Sequence, residues 1–255
     1  MKKGFTLAEV LITLGILGVV IAMTMQTLVQ KHQNKVIITQ LNKTYSELQN
    51  IVNLISFEQN DDILNFVELT KEAELNKIFM SYYDNAKDCT ANKCFENQNI
   101  TYYTYAGNPI ANSEGIQPIN VYFSRPRFIT KDGRLFIFGG RDSYGNNSAT
   151  NYGQIISVDV NGPFKKPNAW GRDTFSFRIM EKQIYPCGGK VVCSNPYNYN
   201  CNESEKGLYA GIGCTYYALT KKGFLDAKYY YDRYIPGELW YIIWFELFYS
   251  KLAFL

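Results

Sequence analysis

Histidine is almost absent from this chain of 255 residues, since His32 is its single histidine. Zinc sites built from several histidines are therefore excluded, and a Ser-His-Asp or Cys-His arrangement can use only His32. The sequence also lacks a Gly-rich phosphate loop and a nucleophile elbow. Aspartate and glutamate are scattered, and no spacing singles out the carboxylate pair of a glycosidase. These absences argue against an enzyme.

Net charge is also low. The 26 Lys and Arg residues and 23 Asp and Glu residues leave a charge of +3, which is too weak a field to predict a nucleic-acid-binding protein. Hydrophobic residues form 46% of the chain, which is enough for a core and excludes wholesale disorder. The 21 tyrosines and 16 phenylalanines favour β-structure and an aromatic extracellular surface.

Cysteine is missing from the first 88 residues, and four of the six cysteines fall within a stretch of 28 residues rich in Gly, Asn and Tyr. An even number in loop-like sequence predicts disulfides in an oxidising compartment. The alternative, a four-thiolate zinc site, normally uses short Cys-x-x-Cys pairs, which are absent. The disulfide candidates are Cys89, Cys94, Cys187, Cys193, Cys201 and Cys214.

Charged residues are absent from 10–25, where two threonines are the only polar side chains besides glycine. As a helix, residues 5–28 extend about 36 Å, which is enough to cross a bilayer. The basic pair Lys2 and Lys3 in front of this segment predicts that the N-terminus stays cytoplasmic and that everything after Gln30 lies outside.

Glu9 distinguishes three interpretations of this segment. A cleaved secretory signal needs a small-residue cleavage site after its apolar stretch, and residues 20–25 contain no convincing one. A plain membrane anchor needs no carboxylate. Because an acidic side chain in lipid costs about 2.5–3.5 kcal/mol, Glu9 is expected to have a partner or a purpose.

Residues 4–9, Gly-Phe-Thr-Leu-Ala-Glu, follow a short basic leader and precede an apolar helix. This arrangement closely resembles the class III signal of type IV pilins and type II secretion pseudopilins, although the proline that many major pilins carry in this helix is missing. The resemblance implies that a prepilin peptidase/methyltransferase cuts between Gly4 and Phe5 and methylates Phe5. It also implies that Glu9 pairs with the N-terminal ammonium of a neighbouring subunit, so that two charges that are costly in lipid neutralise each other.

The resemblance further implies partners and a location. The partners are that peptidase, other pilin or pseudopilin subunits, an inner-membrane assembly platform and membrane lipid, and no specific nucleic acid is indicated. The location is the bacterial cytoplasmic membrane, with a single pass and the head outside, followed by a periplasmic or cell-surface filament.

One-sided hydrophobic spacing from Val29 onward predicts that the helix continues in an amphipathic second half, residues 29–57. One helix of about 80 Å then covers residues 5–57. Residues 1–4 are the expected leader peptide, and residues 58–255 are the expected extracytoplasmic head.

The signals in the head are mainly those of β-strands. Asp-Gly at 132–133, between two apolar runs, predicts a β-hairpin. Residues 155–160 and 174–179 predict another antiparallel pair, and residues 100–105 a further short β-run. The expected fold class is therefore α+β and pilin-like, with the long N-terminal helix packed on an antiparallel sheet.

Asp159, Asn161 and Asp173 lie in a stretch that resembles, more loosely, a segment of the heads of pilin-like proteins. Their side chains offer the hard oxygen ligands that calcium prefers, and the resemblance allows such a site in a pseudopilin head. The spacing does not fit an EF-hand, and turn chemistry explains these residues without a metal. The expectation is that there is no cofactor, with calcium as the alternative.

The C-terminal part divides into a lobe and a tail. The four cysteines within 187–214 predict a disulfide-linked lobe and allow three pairings. Residues 239–255 form an apolar, aromatic tail that is short for a membrane span. This tail is expected to cover the head, to lie at the membrane interface or to contact other subunits.

Two classes of function follow. The leading one is a structural subunit of a type IV pilus or a type II secretion pseudopilus, and the large head and aromatic loops favour a minor subunit. The alternative is a membrane-tethered adhesin or enzyme that does not polymerise. Nothing in the sequence separates secretion from motility, DNA uptake or adhesion.

Overall fold

The chain is described here by a computed structural model. The described residues are 6–58, 72–90, 94–95, 100–112, 115–116, 125–139, 155–180, 183–191, 193, 201 and 210–220. The predicted cleavage site at Gly4 and Phe5 and the tail 239–255 lie outside the described residues.

A single long helix, α1, runs from Leu7 to Glu58. Its 52 residues extend about 78 Å, and no proline interrupts its hydrogen bonds. Burial on α1 begins at Asn34 and follows one face to Ser56, so this part of the helix is amphipathic. Val29 was predicted to belong to this face and is instead exposed, because it lies before the part of α1 that the head covers.

The described part of the head contains two more helices and eight strands. These elements are α2 (Glu72–Ser81), β1 (Lys87–Asp88), β2 (Ala111–Asn112), β3 (Gly115–Ile116), β4 (Arg127–Ile129), β5 (Leu135–Gly139), β6 (Ile155–Asp159), β7 (Thr174–Met180), β8 (Gln183–Pro186) and α3 (Cys214–Thr220).

Six of the strands form one antiparallel sheet in the order β1-β4-β5-β6-β7-β8, and β2 and β3 form a separate hairpin. Both predicted strand pairs are confirmed. The turn at Asp132-Gly133 joins β4 to β5, with Gly133 at φ +91°, and β6 pairs with β7 so that Asp159 lies opposite Thr174. A glycine at this turn is expected because L side chains rarely adopt positive φ.

The two faces of the sheet are covered by different parts of the chain. One face supplies aromatic and aliphatic side chains to a main core shared with α1 and α2. The other face contributes Leu135 and Ile137 to a second cluster with Tyr102 and Trp170. The predicted β-run at 100–105 forms isolated bridges rather than a strand, because Tyr103 bridges single residues in two different segments, Pro109 and Ala169.

All six cysteines are paired in the structure. The three disulfides are Cys89–Cys94, Cys187–Cys193 and Cys201–Cys214, which selects one of the C-terminal pairings that the sequence leaves open. Helix α3 lies against β7, where the Thr215 hydroxyl accepts a hydrogen bond of 2.8 Å from the backbone N–H of Ser176. The long helix, the antiparallel sheet and the disulfide-linked C-terminal region form the predicted pilin-like α+β fold.

Arg134 links the β4–β5 turn to α1. Its guanidinium is buried and lies 2.6 Å from the Glu47 carboxylate, 2.9 Å from the Thr44 hydroxyl and 3.0 Å from the Asp132 carboxylate. Partial burial alone raises the pKa of Asp132, but hydrogen bonds from Arg134 and Thr130 and the charge of Arg134 outweigh it and bring the pKa to about 2. The turn is thus held to the helix by charge-assisted hydrogen bonds.

Replacing this guanidinium should destabilise the head. We expect Arg134→Met to lower the free energy of unfolding by about 1–3 kcal/mol, because Glu47 and Asp132 are partly exposed and regain water when the cation is lost. Urea unfolding of the full-length protein in detergent, followed by near-ultraviolet circular dichroism, measures this. Lys43→Met is the control and should change stability by less than about 1 kcal/mol, since Lys43 is exposed and its contacts are 3.4–3.7 Å.

Candidate functional site

The N-terminus of α1 is capped by three hydrogen bonds between Thr6 and Glu9. The Glu9 carboxylate accepts hydrogen bonds from the Thr6 backbone N–H at 2.8 Å and from the Thr6 hydroxyl at 2.9 Å. The Thr6 hydroxyl in turn accepts a hydrogen bond of 3.3 Å from the Glu9 backbone N–H. This is a capping box, in which the first residue before a helix and the third residue inside it satisfy each other's free backbone groups. Glu9 therefore has a partner within its own chain.

The first part of α1 presents apolar side chains to its surroundings on all sides. Leu7 is 78% exposed and Leu28 is 67% exposed, and the described side chains between them are exposed as well. By length and composition, α1 is the one helix among the described residues that can cross a membrane. Since such a surface is unfavourable in water, it fits a segment whose surroundings are lipid or other helices.

The predicted processing residues lie next to this cap. Gly4 and Phe5 are outside the described residues, but Phe5 directly precedes Thr6 in the chain. A new amino terminus at Phe5 would therefore lie one residue before the capping box. His32 is exposed on α1 beyond the apolar part, as expected for a solvated side chain.

A second polar site is buried at one end of the sheet, where Asp159 ends β6 and Asp173 precedes β7. Both carboxylates are fully buried. Asp159 accepts hydrogen bonds from the Tyr102 hydroxyl and, at 2.8 Å, from the Gly162 backbone N–H. Asp173 accepts hydrogen bonds of 2.7 Å from the backbone N–H groups of Asn168 and Ala169. Each carboxylate thus holds one part of the loop between β6 and β7.

Burial changes the acidity of this pair. Burial and then the charge of Asp173 raise the pKa of Asp159 well above its ordinary value. Burial also raises the pKa of Asp173 to about 6, although hydrogen bonds from Ala169 and Asn168 act in the opposite direction. The pKa of Tyr102 is raised by burial and by the nearby carboxylate of Asp159. Two neighbouring buried carboxylates disfavour each other's ionised forms.

The structure brings the three predicted calcium ligands into one region. Asn161 lies in the loop and its side chain is hydrogen-bonded to Asp173. Each oxygen of the two carboxylates already accepts a hydrogen bond from a protein donor, so turn formation accounts for both residues. Within the described ranges, no three His, Cys, Asp or Glu residues are grouped so that they could hold a metal ion. Calcium binding at Asp159, Asn161 and Asp173 stays a prediction.

Two functional contacts were not part of the sequence prediction. Thr6 could have been found, because Thr-x-x-Glu before an apolar run is the sequence signature of a capping box. Tyr102 could not have been found, because the contact between its hydroxyl and Asp159 joins residues 57 positions apart.

These features define a class of protein: an α+β head carried on a long helix whose uncovered apolar half follows a capped, acidic N-terminus. Comparison with family models identifies a processing signal at the N-terminus. Residues 1–25 match the prokaryotic N-terminal methylation motif. Residues 1–25 therefore carry the class III prepilin signal of type IV pilins and pseudopilins, which supports a precursor of that type. No curated protein and no solved structure was found to match the chain.

Proposed function

We propose that this protein is a minor structural subunit of a type IV pilus or a type II secretion pseudopilus. It is cut after Gly4, methylated on Phe5, held in the inner membrane by α1 and then built into a filament through that helix. The observation that carries the proposal is the match of residues 1–25 to the methylation motif together with the uncovered apolar surface of the same helix.

Assembly in this proposal is driven by binding rather than by catalysis. The apolar half of α1 leaves lipid and packs against the same part of neighbouring subunits, where van der Waals contact replaces contact with acyl chains. The head follows α1 because the face from Asn34 to Ile55 is buried against it. Filament position is thus set by the helix, and the head provides the outer surface.

Thr6 and Glu9 have different roles at the N-terminus of α1: Thr6 donates the hydrogen bonds that the Glu9 carboxylate accepts, and Glu9 carries the negative charge. Before assembly, the cap within the chain satisfies two lone-pair directions of the Glu9 carboxylate and lowers the cost of holding it in lipid. The ammonium of Phe5 in a neighbouring subunit then provides the opposite charge that the cap lacks. A methylated amine keeps that charge, because methylation leaves the nitrogen basic.

The second candidate function is a membrane-tethered adhesin that never polymerises. It shares the signal and the anchor but gives no role to the charge on Glu9. Processing alone does not separate it from the proposed subunit, whereas filament incorporation does.

The first experiment determines the mature N-terminus by mass spectrometry in cells with and without the prepilin peptidase. We expect the mature protein to begin with N-methyl-Phe5, and we expect Gly4→Val to leave the precursor uncut, because a β-branched side chain obstructs the subsite that accepts glycine. An intact Met1 in cells that contain the peptidase, or a cut near residues 23–26, would contradict the proposal. Leu7→Val is the matched control and should be processed normally.

A further inference from the structure

One end of the sheet points toward the membrane part of α1. The β4–β5 turn contacts α1 through Arg134, which reaches Thr44 and Glu47. Further along α1, Gln49 accepts a hydrogen bond from the backbone N–H of Ile184 in β8, near the opposite end of the sheet. The helix therefore passes from the end that carries the β4–β5 turn to the other end. Because the loop between β6 and β7 lies at the same end as that turn, both face the N-terminal half of α1.

These two loops adjoin and present one surface. A Cβ atom at Gly162 would lie 2.2 Å from the carbonyl oxygen of Gly133, so the loops are in direct backbone contact. The exposed side chains that they carry are one aromatic residue and three lysines, together with Asp132, whose carboxylate is bound by Arg134 and Lys43. We name this surface the basal rim: Lys131, Phe164, Lys165 and Lys166.

The basal rim is held in a defined shape by its own loop. The Asn161 side-chain amide donates hydrogen bonds of 3.3 Å to the carbonyl oxygens of Lys165 and Lys166, and the Lys165 backbone N–H donates one of 3.0 Å to the carbonyl oxygen of Gly162. The Phe164 ring lies against Phe95 at a centroid distance of 6.0 Å and is still 60% exposed. An aromatic ring directly before two lysines in the chain is therefore kept exposed by a fixed backbone.

The charged residues of the rim itself are all lysines. Over the described ranges, none of its three lysines forms an ion pair. Near this end, the Asp132 carboxylate binds Arg134 and Lys43, and Asp159 and Asp173 are buried. Asp84 is an exposed carboxylate three residues before Lys87, which pairs with Ile129 beside the turn. The three lysines outnumber the two exposed carboxylates near them, so an anionic partner meets a surface of net positive charge.

We infer that the basal rim binds the anionic headgroups of the membrane in which α1 is anchored, with Phe164 at the level of the interface. This inference rests on the membrane-held stage of the proposed function. Lysine and aromatic side chains are the residues that favour the membrane–water interface, and each basic residue near an anionic surface adds binding energy. A lipid surface is favoured over a free protein partner because the rim faces the side on which the span leaves the bilayer.

The basal rim can contact headgroups only if the distance between it and the end of the apolar stretch of α1 is bridged. Between Lys31, just after the apolar stretch, and Lys43, beside the β4–β5 turn, α1 rises about 18 Å. The headgroup layer and the lysine side chains cover part of this distance, and a tilt of α1 within the range of membrane helices covers more. The inference therefore requires that the head leans toward the bilayer on the side of the rim.

Photo-crosslinking of the full-length chain in vesicles tests this contact. The probe is Phe164→p-benzoylphenylalanine, and the vesicles contain either phosphatidylcholine alone or phosphatidylcholine with phosphatidylglycerol. We expect lipid adducts to be about fivefold or more abundant with the anionic lipid, to fall to the phosphatidylcholine level in the combined Lys131→Gln, Lys165→Gln and Lys166→Gln variant, and to decrease at high salt. The same probe at Phe57, which is 83% exposed near the other end of the head, should give few lipid adducts.

Several results would overturn the inference. These are equal adduct yields in both kinds of vesicle, equal yields at positions 164 and 57, and adducts of position 164 with protein or added duplex DNA in place of lipid. Extraction with alkaline carbonate separates this failure from failure of the proposed function. If the chain resists extraction and position 164 still gives no lipid adducts, only the basal-rim inference is wrong, whereas a chain that is extracted was never anchored.

Discussion

Glu9→Leu should leave the protein in the membrane and processed after Gly4 but should reduce its incorporation into filaments by about 10- to 100-fold. The substitution removes a carboxylate that costs about 2.5–3.5 kcal/mol in lipid, so the anchor itself becomes more favourable. What is lost is the attraction between this carboxylate and the ammonium of a neighbouring Phe5, and a difference of 1.4 kcal/mol already corresponds to tenfold in an equilibrium. The measurement is the ratio of sheared, sedimented filament protein to membrane-bound protein.

Two further variants separate the charge of Glu9 from its capping role. Glu9→Gln keeps an oxygen that can accept the Thr6 hydrogen bonds and removes the charge, whereas Thr6→Val removes the hydroxyl of the cap and keeps the charge. If charge pairing drives assembly, Glu9→Gln should assemble as poorly as Glu9→Leu, and Thr6→Val should assemble better than both. Normal incorporation of Glu9→Leu would favour the tethered adhesin over the filament subunit.

The elements that the sequence predicted well depend on local patterns. The helix from Leu7 to Glu58 follows from an unbroken apolar run joined to a one-sided stripe, and the turn at Gly133 follows from a residue type that accepts positive φ. The exposure of Val29 was missed because spacing along a helix shows which residues share a face but not where the head begins.

The contacts that the sequence did not predict join distant parts of the chain. The pairing of Cys201 with Cys214 depends on how the lobe folds onto the sheet, and spacing allowed three solutions. The approach of Asp159 to Asp173 depends on the register of β6 and β7, which is fixed by side-chain packing over the whole sheet. Local turn signals identified Asp159 and Asp173 as turn residues or calcium ligands, but they did not predict that both carboxylates are buried.

Asp173→Ala should destabilise the head by about 2–5 kcal/mol. The Asp173 carboxylate is the acceptor for the buried backbone N–H groups of Asn168 and Ala169, and each buried donor left without an acceptor costs about 1–3 kcal/mol. Relief of the repulsion with Asp159 offsets part of this loss. Urea unfolding of the full-length protein in detergent and in the presence of a calcium chelator measures the change. Asp84→Ala, at an exposed carboxylate, is the control and should change stability by about 0.5 kcal/mol or less.

The pH dependence of the free energy of unfolding tests whether the Asp173 carboxylate is ionised in the fold at a higher pH than in the unfolded chain. The pKa of Asp173 is raised from about 3.8 in the unfolded chain to about 6 in the fold. A raised pKa means that this group contributes fully below pH 4 and that its contribution is lost as the pH rises through 6, so the wild-type protein should lose stability over that interval. The raised pKa of Asp159 acts in the same direction, and removing its charged neighbour brings it closer to normal. Asp173→Ala should therefore show a flatter profile above pH 4, and an unchanged slope would mean that the buried pair does not control it.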